Sequence, residues 1–213
     1  MTYVSYVRFS DEPEPAFIEG RLVELKLIYS GQLKASNGSR VKEKHEIRQQ
    51  FHKQLKRLWE VKRQPLRGSV IELGGGSLTG PQALAERFQI CGYRFVPLVT
   101  DEYPLCVSLD VLFLRRDKIN AIRIAGGDID NRIGTLFDAL RMPRDCSELP
   151  AGAAPTEGEN PFYVLLQNDS LVVDLRVSTS LLLAPLGSPP TEYENDVHLV
   201  IGVQIKPSGE WTA

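Results

Sequence analysis

Three cysteines in 213 residues make an odd count, and no two of them stand in a CxxC spacing, so neither a disulfide framework nor a zinc finger is written into the chain. Cys91, Cys106 and Cys146 then read as small buried apolar groups, and the cytoplasm is the expected compartment. The chain opens without a basic run leading into an apolar one, so no secretory leader is expected. Long hydrophobic runs are also lacking: LLLAPL at 181–186 falls far short of the roughly 20 residues that cross a bilayer. No membrane partner is expected. Histidine is scarce, and His45 and His52, seven apart on one helix face, have no acid or cysteine beside them to complete a metal site, so both read as surface residues. The glycines at 74–76 lack the lysine of a phosphate-binding loop.

What is present suffices for a folded domain. Apolar side chains make up 42% of the chain, and a chain of this length buries roughly 70% of its unfolded surface, which excludes intrinsic disorder. The net charge is −2, but residues 40–67 carry ten Lys/Arg against three acids, a local +7, and the remainder is therefore −9. Such asymmetry points to a polyanionic partner.

Period-two alternation predicts strands at 23–29, 93–99, 105–113, 170–178 and 197–205. The clearest is 105–113, where Leu105, Val107, Leu109, Val111 and Phe113 share one face. Ile47, Phe51, Leu55 and Trp59 recur at helical steps and predict a basic amphipathic helix over 41–60, with Trp59 in the core. Ile133, Leu136, Phe137 and Leu140 predict a second helix over 129–142, which Pro143 stops. Turn-rich stretches at 74–81, 143–161 and 184–196 separate these elements. The expected architecture is α/β of the α+β type, with a mixed sheet of four to six strands flanked by helices. One domain is expected over 20–206, with an N-terminal extension at 1–19 and a tail at 207–213.

The most informative stretch is GGDIDNRIGTLFDALRMP at 126–143. Asp128 and Asp130 can aim both carboxylates to one side only where the chain is extended, since two helical steps would set them about 200° apart. Helix capping also accounts for aspartates in this position. Asp128-Ile-Asp130-Asn131, followed by Phe137-Asp138-Ala139-Leu140, resembles the DxDN…DAL signature of RusA-type Holliday-junction resolvases. Arg115-Arg116-Asp117-Lys118 resembles the basic loop before that signature, and Asn168-Asp169-Ser170 with the following strand resembles the family's later acidic segment. Against compact members of the family the chain carries insertions near 61–90 and 143–161. The family's lysine four residues after the second aspartate is replaced by Gly134.

The resemblance implies a Mg²⁺-dependent endodeoxyribonuclease that hydrolyses phosphodiesters in branched DNA, with Mn²⁺ as an alternative metal. Asp128, Asp130 and Asp169 would be the catalytic, metal-binding cluster, because hard divalent cations take carboxylate oxygens and retained waters. Asn131 would be a polar neighbour, and Asp138 either an outer partner or a solvated helix residue. Lys42, Arg48, Lys53, Lys56 and Arg57 of the basic helix, with Arg115, Arg116, Lys118 and Arg132, would contact DNA phosphates. Arg132 or Lys118 could supply the cation that Gly134 lacks. Paired incisions at a two-fold junction imply a homodimer. Two other readings are a DNA-binding protein of this fold with impaired catalysis, and a protein-interaction module with no nucleic-acid role.

Overall fold

A computed structural model describes residues 23–34, 40–62, 80–115, 129–183 and 196–208. Asp128, Arg116 and Lys118 lie outside them, as do most of the 61–90 insertion and both termini. The fold is α+β, with two mixed sheets. Strands β1 (Val23–Gln32), β4 (Leu105–Arg115), β6 (Val172–Leu181) and β7 (Asp196–Pro207) form the larger sheet in the order β1-β7-β4-β6. In it β7 runs antiparallel to both β1 and β4, and β6 parallel to β4. The smaller sheet joins β2 (Gln89–Ile90), β3 (Tyr93–Val99) and β5 (Phe162–Leu166), with β3 and β5 parallel. The predicted strand at 93–99 therefore belongs to a second sheet.

The alternation read from the sequence sets the larger sheet's inner face. Val197, Leu199, Ile201, Val203 and Ile205 of β7 are fully buried, as are Val107, Val111 and Phe113 of β4 or nearly so. Helix α1 (Val41–Lys62) and helix α3 (Ile129–Leu140) close that face with Ile47, Phe51, Leu55, Leu136 and Leu140. Helix α2 (Pro81–Arg87) packs Leu84 and Ala85 on Val96 of β3, and Trp59 joins that contact from α1.

Helix α1 is buried on two sides, which overturns the reading of its histidines. His45 and His52 face the smaller sheet, where His52 lies 4.4 Å from the Phe162 ring between centroids, and both are almost completely buried. Tyr163 N donates to His52 Nδ1 at 2.8 Å, so Nε2 carries the proton and donates to Gly158 O at 3.0 Å. The cysteine reading is also corrected. Cys91 and Cys146 are exposed and joined in a disulfide that ties the β2–β3 turn to the segment after α3, and Cys106 alone is a buried free thiol.

Candidate functional site

Helices α1 and α3 begin at the same end of the larger sheet. Leu33 and Lys34 follow β1 there, and their carbonyls accept from the Arg132 guanidinium at 2.6 Å and the Thr135 hydroxyl at 3.5 Å. Arg115, the last residue of β4, pairs with Val197 at this end, and Gln32 with Asp196. Asp130 stands in the first turn of α3 with an exposed side chain, its Oδ1 accepting from Asn131 N at 2.7 Å. An acid in this turn suits the positive end of the helix dipole. At the start of α1 an open cleft of about 860 Å³ is lined by Lys34, Arg40 and Lys42, with Glu43 and Glu46 among them, and no residue of α3 lines it among the described residues.

Asp169 is not here. It opens the turn before β6, whose first residue pairs with Val107 near the start of β4. About 25 Å of β4 lies between Val107 and Arg115 at the usual rise per residue. The Asp169 carboxylate meets Arg144 Nη2 at 3.3 Å and Arg141 Nε at 3.8 Å, beyond the other end of α3. The sequence expectation of one cluster holding Asp130 and Asp169 is thus not met within a single chain, because the two acids flank opposite ends of the sheet. No group of three His, Cys, Asp or Glu side chains placed to hold a metal occurs among the described residues.

The basic residues divide in the same way. Lys42 is open to solvent at the Asp130 end, weakly paired to Glu46 at 3.9 Å. Lys53, Lys56 and Arg57 lie about 16 to 23 Å further along α1 at the helical rise. Lys56 Nζ donates to Gly158 O at 3.1 Å, and Arg57 pairs with Glu60 at 3.2 Å. Arg115 ends β4 with its side chain outside the described set.

Arg48 and Arg132 are corrections. Both are almost fully buried, so neither can meet a phosphate backbone. Arg48 donates to Asp138 O at 2.7 Å and Arg141 O at 3.1 Å, satisfying carbonyls that the end of α3 leaves open. Burial, with Arg141 nearby, pulls its guanidinium down to about 10. Its place on the α1 stripe, in register with Phe51 and Leu55, was the sequence signal for burial. Arg132, anchored on Leu33 O, is not the cation that Gly134 lacks.

No motif or spacing points to Arg141, which organises the far end. Its guanidinium, 2% exposed, takes both oxygens of Glu148 at 2.7 and 2.9 Å and Asp138 Oδ1 at 2.5 Å. Burial pushes the Glu148 carboxyl upward, but the bonds from Arg141 and Arg144 N outweigh it and hold the group below its ordinary range. Asp138 also binds Lys44 at 2.7 Å, so it is an ion-paired, partly exposed residue at the far end of α3 from Asp130. No protein-family model, no curated protein and no solved structure matches the chain, so its likeness to the RusA-type resolvases rests on the motif residues themselves.

Proposed function

We propose that the protein is a Mg²⁺-dependent endodeoxyribonuclease acting on branched DNA as a homodimer, with Asp130 and Asp128 as its metal-binding carboxylates. The observation that carries this reading is the exposed Asp130 carboxylate in the first turn of α3, at the end of the larger sheet where Lys34, Arg40 and Lys42 line a cleft at the start of α1. Mg²⁺ needs only one or two carboxylates when waters and substrate phosphate complete its shell, so this donor set fits the ion. Bound there, Mg²⁺ would neutralise the scissile phosphate and acidify a water, whose addition across one P–O bond cuts the strand. The chain's own residues hold Asp130 at a helix start and draw in the phosphate backbone through Lys34, Arg40 and Lys42.

A second reading, binding without efficient cutting, is favoured by Gly134, which places no cationic side chain at the exposed helix position one turn beyond Asp130. Titrating a four-way junction and a linear duplex with the full chain, with and without Mg²⁺, tests both. The nuclease reading expects tighter binding of the junction, an affinity that falls steeply with salt, and strand cleavage only with Mg²⁺. Binding with no cleavage selects the second reading. Equal or absent binding of both DNAs rejects the two together.

A further inference from the structure

We propose that two copies of the chain associate edge to edge through β6, paired antiparallel about a two-fold axis at Leu175. Strand β6 is the outer strand of the larger sheet, and its ten residues have no partner on the outer side among the described residues. It is exposed along nearly its whole length, with Val173 at 62% and Leu175 at 39%. An edge of ten residues without proline or lysine, with apolar residues alternating with Asp174 and Arg176, is a template for a strand of matching charge.

The sequence of the edge names the partner. Val173-Asp174-Leu175-Arg176-Val177 is symmetric in apolar residues and antisymmetric in charge about Leu175. In a two-fold interface, if residue i meets j then j meets i. Pairing about Leu175 therefore sets Asp174 against the partner's Arg176 and Arg176 against the partner's Asp174, on one face of the sheet. Leu175 meets its own copy, and Val177 falls opposite the partner's irregularity at Val173, where β6 slips register against β4. Moving the axis to Asp174 or to Arg176 places like charges directly opposite, which destabilises cross-strand pairs, so charge specifies the register. Neither Asp174 nor Arg176 has an ion pair among the described residues, although Asp110 of β4 is the Cα neighbour of Arg176.

The joined sheet would have eight strands with the helices of both copies on one face. In this register the partner's turn before β6 lies towards Leu181, the residue level with Arg115 at the end of the sheet that carries Asp130. The interface itself does not depend on the nuclease reading.

Sedimentation velocity over a concentration series, without DNA or Mg²⁺, tests it on the full chain. The wild-type protein is expected to be dimeric. Asp174→Arg and Arg176→Asp, both at exposed positions, should each weaken the dimer about tenfold or more, since two attractive pairs become repulsive. The double swap Asp174→Arg/Arg176→Asp is self-complementary again and should restore the dimer. Mixing the two single variants should give a heterodimer. A monomeric wild type, single variants that dimerise as wild type does, or a folded double swap that stays monomeric would each overturn the proposal.

Discussion

Gly134→Lys changes one exposed helix position and two measurable properties. Gly134 lies in the second turn of α3, and a Cβ placed on it meets nothing within 4 Å, so a side chain enters without a clash. A glycine in a helix interior is about 1 kcal/mol less favourable than alanine and about 0.7 kcal/mol less favourable than lysine. A lysine four residues after Asp130 shares its face and adds about 0.3 kcal/mol through the ion pair. Gly134→Lys and Gly134→Ala should therefore both stabilise by about 1 kcal/mol, raising Tm by roughly 2–4 °C for a chain of this size. Alanine supplies the helix propensity without the cation, so the pair separates stability from chemistry. Thermal melts followed by circular dichroism read the first effect, and Mg²⁺-dependent junction cleavage the second. Only the lysine should raise cleavage. A lysine variant that melts below wild type would refute the exposed helical placement. A wild type that already cuts well and slows with Gly134→Lys would show another cation in that role, with Lys118 the first to examine because Arg132 is buried.

Arg141→Met removes a buried guanidinium from Asp138 and Glu148, and should cost about 2–4 kcal/mol in urea unfolding, because those acids are partly exposed and can rehydrate. Arg144→Met, on a side chain 64% exposed, should cost less than about 1 kcal/mol, and equal losses would sink the distinction. Burial lowers the pKa of His45 and His52 below the ordinary 6.5, so the unfolded chain takes up protons first as pH falls. Stability is then full above that value and lost as pH drops below it, with Glu148 and Glu159 adding their loss in stronger acid. For His52 the added proton would set an N–H against the N–H of Tyr163. Replacing His52 with Gln should flatten the acid limb of the urea midpoint against pH, and an unaltered limb would remove His52 from the account. Reducing Cys91–Cys146, 55 residues apart, should destabilise by up to about 4 kcal/mol. Thiol titration of the unfolded, unreduced chain should find Cys106 alone, and three free thiols would contradict the pairing.

Strands β4 and β7 were legible because each has one buried and one wetter face, which prints period-two alternation on the sequence. Strand β5 was not, since Phe162–Leu166 is almost continuously apolar and buried, leaving no alternation to read. The periodicity of α1 shows one apolar stripe, whereas two sheets cover the helix, and a one-sided reading therefore sends His45, Arg48 and His52 to solvent or DNA. The DxDN run points to the start of α3, but not to the distance from Asp130 to Asp169, which depends on how far α3 and the segment through β5 carry the chain between them. The disulfide joins residues 55 apart and leaves no local spacing to detect, while Arg141 has acids three and seven residues away but lies beyond the periodic stripe of α3, so its burial goes unread.

The central claim is that Asp130 holds the metal for strand cleavage, and Asp130→Asn tests it most directly because the side chain is exposed and the change removes a charge with little change of shape. The variant should fold and bind a four-way junction at least as tightly as wild type, since a negative charge near phosphate has gone, while Mg²⁺-dependent cleavage disappears. Cleavage that persists in Asp130→Asn at the wild-type rate would contradict the claim.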